Sequence, residues 1–200
     1  MYQNDPFKCL TGEVRLSYVH LAEKAQRMVD GKPEGEPKYS VVLLIPKTDT
    51  ITKADLDSAL AACADDAVRT KWGGVRPPVI SQVIHDGDGL RRDGSPYAEE
   101  CKGHWVLSVS STRKPDVVDI SNINVPLAPQ DIYSGMYAQV TVRAFAYNTR
   151  GNKGVSFGLG NVLKIRDGEP LSGGATASTD FAGIGASVPR VDPLTGLPIQ

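Results

Sequence analysis

The sequence predicts a mainly β fold: a small barrel or sandwich of five or more strands with a single helix inserted among them, and not a layered α/β fold. Three observations point there. Alternation of apolar and polar residues at period two recurs in several short segments. Only one segment, 52–70, repeats apolar residues at helical spacing. The 200 residues, 40% hydrophobic and 22% charged, suffice for one buried core and disfavour both wholesale disorder and a coiled coil.

The elements follow in chain order. In 11–20, T-G-E-V-R-L-S-Y-V-H, the residues Val14, Leu16 and Tyr18 alternate with Glu13, Arg15 and Ser17, a strand with one wet face. A charged stretch with Gly31, Pro33, Gly35 and Pro37 separates it from Lys38 to Ile45, a more buried strand ended by Pro46. Thr52 is a candidate N-cap with Asp55 in a capping-box-like position, and Leu56, Leu60, Cys63, Ala64 and Ala67 give the helix its apolar stripe. Gly73-Gly74 and Pro77-Pro78 stop it. A short strand over 78–85, a polar loop around Asp86-Gly87-Asp88-Gly89 and Asp93-Gly94-Ser95-Pro96, and strands over 105–111 and 117–120 come next. The clearest strand is Gly135 to Asn148, with Gly154 to Arg166 as its hairpin partner across a Gly/Asn-rich turn. Residues 171–200 are rich in Gly, Pro and small residues and predict a flexible tail, leaving 1–170 as the folded domain.

Several function classes lose support. The longest apolar run, Val41 to Ile45, is far short of the ~20 residues of a membrane helix, and Met1 to Pro6 lacks the pattern of a secretion signal, so a cytoplasmic protein is expected. Cys9, Cys63 and Cys101 make no disulfide framework or metal knuckle and read as buried thiols. Gly154-Val155-Ser156-Phe157-Gly158 spells a nucleophile elbow, yet strand follows where helix is needed and the last histidine, His104, lies upstream. Asp86-Gly87-Asp88-Gly89 lacks the glycine and glutamate of a calcium loop, having Arg91 and Tyr97 there. No phosphate loop, complete dinucleotide fingerprint or metal cluster is spelled out, so no enzyme, cofactor or metal is expected.

One surface pattern remains. In Tyr137 to Tyr147 the residues Ala138, Val140, Val142, Ala144 and Ala146 suit a tight interior, while Tyr137, Gln139, Thr141, Arg143, Phe145 and Tyr147 face the other way. Aromatic faces can stack unpaired bases and arginine can take phosphate; another sheet, the helix or a second subunit could equally cover the row. The formal net charge is −1, but Gly135 to Gly168 holds Arg143, Arg150, Lys153, Lys164 and Arg166 against Asp167 alone. Arg69 to Arg92 holds Arg69, Lys71, Arg76, Arg91 and Arg92 against Asp86 and Asp88.

Thr11-Gly12-Glu13-Val14-Arg15, Pro37-Lys38-Tyr39-Ser40-Val41, Asp86-Gly87-Asp88, Lys102-Gly103-His104-Trp105, Tyr133-Ser134-Gly135, Gly151-Asn152-Lys153-Gly154 and Leu163 to Leu171 occur in an order and spacing that resemble a family of tailed-phage single-stranded DNA-binding proteins, formerly a domain of unknown function. The resemblance runs from about Phe7 to Phe181. It implies an OB-type five-stranded barrel and non-catalytic, sequence-independent coating of exposed strands during phage DNA replication, recombination or repair, in the cytoplasm of the infected bacterial host. Single-stranded DNA is the implied partner, with phage replication or recombination proteins and a second copy of the chain as further candidates. Relatives tend to end in an acidic tail; here 171–200 hold only Asp180 and Asp192 against Arg190, so tail-mediated recruitment is not expected. Candidate base-stacking residues are Tyr137, Phe145, Tyr147, Trp72 and Trp105, and candidate phosphate contacts Arg143, Arg150, Lys153, Arg76 and Arg113. Trp105 is the weakest of these, because Leu107 and Val109 share its face. The rival expectation is a virion or assembly protein that uses the aromatic row as a subunit interface.

Overall fold

The structure, a computed structural model, describes residues 4–29, 32–149 and 152–171; the predicted tail beyond 171 and the candidate contact Arg150 lie outside the described residues. The elements are β1 (Lys8–Leu10), β2 (Val14–Val29), β3 (Lys32–Pro46), α1 (Thr50–Thr70), β4 (Ile84–Asp86), β5 (His104–Ser111), β6 (Val117–Asp119), β7 (Asn122–Pro126), β8 (Tyr137–Thr149) and β9 (Asn152–Arg166). β2, β3, β5, β9 and β8 pair in that order and β8 returns to β2, so five strands close into a ring. Every pairing in the ring is antiparallel except β5 with β9. This is the predicted OB-type arrangement, with the helix between its second and third strands.

The ring closes because period-two alternation delivers one apolar residue in two to its inside. Val14 and Leu16 from β2, Val41 and Leu43 from β3, Leu107 and Val109 from β5, and Ala138, Val140, Val142 and Ala144 from β8 are all buried in one core. α1 adds Leu56, Ala59, Cys63 and Ala67 to it. Its N-cap is Asp49 and not Thr52: the Asp49 carboxylate accepts from the Thr52 backbone N–H (2.9 Å) and hydroxyl (2.6 Å). The Thr52 oxygen in turn accepts from the Gly12 N–H (2.8 Å), which ties the helix start to the turn between β1 and β2.

Two strand expectations need correction. β2 and β3 are one long antiparallel pair that takes in Pro33, Gly35 and Pro37 of the charged stretch expected to separate the two strands, and the register slips between Ser17 and His20, His20 and Ala25, and Ala25 and Arg27. Such bulges let a ladder pass residues that regular pairing rejects. The strand predicted over 78–85 is confined to Ile84–Asp86, which pairs with β5. All three cysteines are free and buried, as expected, and burial pushes each thiol pKa up.

Candidate nucleic-acid interface

β3 and β5 pair in regular register, Ser40 opposite Ser110 and Val42 opposite Ser108. Val41, Leu43, Leu107 and Val109 point into the core, so the alternate residues Ser40, Val42, Ser108 and Ser110 face outward. These short side chains floor a groove of about 930 Å³, walled by Tyr18, His20, Gln26, Glu36 and Lys38 of the β2–β3 pair and by His85 of β4.

Tyr18 deserves its place in that wall to the backbone. Strict alternation puts it inside with Val14 and Leu16, but it occupies the left-handed region (φ +48°) at the first slip of the β2–β3 register. Its side chain is 60% exposed as a result. A non-glycine residue in that conformation is uncommon and is held by its surroundings.

The row on β8 faces outward as predicted, with Ala138 to Ala146 inside, and Phe145 is 45% exposed. Much of the row, however, is already occupied. Arg15 and Arg166 lie over the Tyr137 ring, at 5.9 and 3.5 Å from its centroid. Tyr147 lies across Gly154 of β9, where a Cβ would fall 2.5 Å from its Cζ. Arg143 is paired with Asp5 and sits over Phe7.

The remaining candidates divide in the same way. Trp72 is only 2% exposed and belongs to the core, its indole N–H donating to the Tyr147 carbonyl (3.1 Å); it offers no face to a base, which corrects that expectation. Lys153 donates to the Trp72 carbonyl (2.7 Å) and Arg76 pairs with Asp65 (2.6 Å), so both are engaged within the fold. Trp105 is half-buried against the core, with the Lys47 and Lys53 ammonium groups 5.1 and 5.0 Å from its ring centroid. Arg113 is exposed just beyond β5.

Charge pairing separates the surfaces further. Arg166 pairs with Glu13 (2.8 Å), a hydrogen bond that holds its pKa up, and Lys164 pairs with Asp167 (2.7 Å). Lys47 holds Asp86 and Asp88 (2.5 and 2.6 Å), and its hydrogen bonds keep both carboxyl pKa values below the usual range. By contrast, Lys24, Lys38, Arg91, Arg92, Arg113 and Lys114 have neither a carboxylate partner nor a side-chain hydrogen bond among the described residues. Lys38 walls the groove, Lys24 lies over Tyr39, Arg113 and Lys114 follow β5, and Arg91 and Arg92 follow β4. Of the cations left for an outside anion, Lys38 thus lines the groove, and the others lie on β2 or just after β4 and β5, strands that pair with or belong to the β3–β5 sheet. Among the described residues no group of three or more His, Cys, Asp or Glu could hold a metal ion, and no helix is long and apolar enough to cross a membrane.

A family model described as Enterobacter phage Enc34, ssDNA-binding protein, matches residues 7–189. The chain belongs to that family. Protein p50 of Acyrthosiphon pisum secondary endosymbiont phage 1 is 35% identical over 184 residues, 86% of this chain and 91% of p50. The structure of the Enc34 single-stranded DNA-binding protein in complex with ssDNA superposes with a TM-score of 0.65 at 29% identity, covering 83% of this chain and 90% of that one. Bacteriophage T7 gp2.5, a single-stranded DNA-binding protein, shares the fold at a TM-score of 0.53 and 16% identity, over 86% of this chain and 93% of gp2.5.

For this Enc34-family chain, counting charge by segment overstates β8 and β9 beside the 69–92 segment, because the acids that pair Arg143 and Arg166 are Asp5 and Glu13, far away in sequence. The groove was missed for the opposite reason. Its floor is serine and valine, and its aromatic, Tyr18, alternates like a core residue until the bulge turns it out. The signal that was present is Ser40 with Ser108 and Ser110, hydroxyls on the wet face of two otherwise apolar strands.

Proposed function

We propose that this protein binds single-stranded DNA along the groove over β3 and β5, without base preference and without a catalytic step. It would coat exposed strands during phage DNA replication, recombination or repair in the cytoplasm of the infected host. The observation that carries this is Tyr18, an aromatic ring held outward in a strained backbone conformation on the wall of a groove that Lys38, a cation with no carboxylate partner among the described residues, also lines. In small OB barrels the second and third strands supply the nucleic-acid face, and those strands here are β3 and β5. A base stacks on the Tyr18 ring while Lys38 and Arg113 take phosphates, and the serine hydroxyls leave room for the sugar-phosphate chain.

A second reading puts the strand on the β8 ribbon, favoured by the exposed Phe145 ring beside Arg143, Tyr137 and Tyr147. Two substitutions separate the readings in a fluorescence-anisotropy titration with a labelled single-stranded oligonucleotide and its duplex. Tyr18→Ala is expected to weaken single-strand binding by ~1–3 kcal/mol with the melting temperature unchanged, and Phe145→Ala to leave binding within about twofold. The reverse pattern transfers the site to β8. Binding to neither single strand nor duplex, together with a discrete oligomer, would instead favour the assembly-protein alternative.

A further inference from the structure

We infer that the loop between β4 and β5 carries a second station for the same strand, in which Tyr97 receives a base and Arg91 its phosphate as the nucleotide chain passes out of the groove beyond His85. The inference rests on the groove reading and extends it to residues outside the groove wall. His85 is where the two surfaces meet: it lines the groove, and its ring centroid is 6.5 Å from that of Tyr97 with the planes inclined by 32°. Arg91 stands over the other partner of this pair, its guanidinium carbon 5.3 Å from the Tyr97 centroid. The three side chains form a continuous ladder of imidazole, phenol and guanidinium leading away from the floor.

The station is anchored at its root and open at its tip. Tyr97 and Val42 pack on the same small cluster of Leu44, Cys101 and Val106, and Val42 is part of the groove floor, so ring and groove share one rigid base. The loop that presents Arg91 is closed by a bridge between Leu90 and Pro96 and by the Ser95 carbonyl accepting from the Arg91 N–H (2.7 Å). Asp93, the acid within 90–96, accepts from the Ser95 N–H (2.9 Å) and hydroxyl (2.6 Å), and these bonds, with a smaller contribution from the Arg91 charge, keep its carboxyl pKa low. Arg91 and Arg92 are exposed and have no salt-bridge partner among the described residues, unlike Arg76, Arg143 and Arg166. The guanidinium over the Tyr97 ring has no salt-bridge partner among the described residues to hold it there, so a base can displace it from the ring face while it moves to the phosphate.

The test uses the full chain and oligothymidylates of graded length, spanning the ~4–16 nucleotides that single OB folds cover, with affinity read by fluorescence anisotropy. Tyr97→Leu keeps an apolar root on Leu44 and Val106 but removes the ring; Arg91→Ala removes the cation. Both variants are expected to bind the shortest oligomers like the parent and to lose roughly 5- to 100-fold on the longest. Arg91→Ala is further expected to flatten the dependence of log affinity on log salt by about 0.7 on long oligomers only. Parent-like binding at every length, or an equal loss at every length, overturns the station. Should Tyr97→Leu melt lower than the parent, Arg91→Ala alone decides. Tyr18→Ala, run in parallel, reports on the groove: if it binds like the parent, the groove reading has failed, whereas its weakening with unchanged Tyr97 and Arg91 variants removes only the station.

Discussion

Trp72 closes the C-terminal end of α1 by filling the space between helix and β8, and four hydrogen bonds lock the junction: its own indole to Tyr147, Lys71 to the Ala146 carbonyl (2.8 Å), Lys153 to the Trp72 carbonyl and the Asn148 side-chain amide to the Lys71 carbonyl (3.4 Å). Replacing it by alanine removes a large buried side chain from a packed site, which costs ~3–5 kcal/mol. Trp72→Phe restores most of the volume but gives up the indole hydrogen bond to the Tyr147 carbonyl, at ~0.5–1.5 kcal/mol. Chemical denaturation should rank the parent above Trp72→Phe and Trp72→Ala in that order, and single-strand affinity of the folded protein should stay at the parent value in both. Loss of affinity without loss of stability would return Trp72 to the interface. Tyr18 is the converse case. A core-like position in the alternation became the exposed one, because one residue in the left-handed region reverses the direction of everything it carries.

At the level of elements, β8 was fully legible: its interior row of Ala138, Val140, Val142, Ala144 and Ala146 is buried as alternation requires. What alternation could not reveal is the partner strand. β9 sets Gly154 beneath Tyr147 and Gly160 beside Thr141, so part of an aromatic row that looks costly in isolation is covered by its own sheet. The β2–β3 pair was legible only at its core-facing end, since a run of Gly and Pro signals a turn unless bulges carry the ladder past it. The joint between β8 and the chain end is equally specific. Gly135 enters β8 at φ +116°, donates to the Leu16 carbonyl (2.7 Å) and lies so close to Glu169 that a Cβ would meet its carbonyl oxygen at 2.1 Å. Backbone cannot retreat as a side-chain tip can. Gly135→Ala should therefore destabilise the protein by more than the ~1 kcal/mol typical of glycine replacement at a positive φ, read as a drop in melting temperature. A parent-like melt would show that the 167–171 segment is free to move aside.

Across the whole molecule, near-neutrality hides a division of labour among cations. Arg143, Arg166, Lys164, Lys47 and Arg76 hold the fold's own carboxylates, while Lys24, Lys38, Arg91, Arg92, Arg113 and Lys114 keep none among the described residues. A segment sum weighs both kinds equally, which is why it ranked the largely paired cations of β8 and β9 alongside Arg91 and Arg92 of the 69–92 segment. Binding distinguishes them, because a cation already paired with a carboxylate must give up that partner before it can neutralise a phosphate. If four to six phosphates are contacted, log affinity should fall with log salt at a slope of roughly −3 to −4. Arg113→Gln should then make the slope shallower by about 0.7, whereas Arg143→Gln should leave it unchanged, since the charge it removes is already balanced by Asp5. Equal changes for the two variants would mean that the Asp5 pair opens on binding and that β8 lies on the strand's path. A flat salt response in the parent would remove phosphate contact from the account altogether.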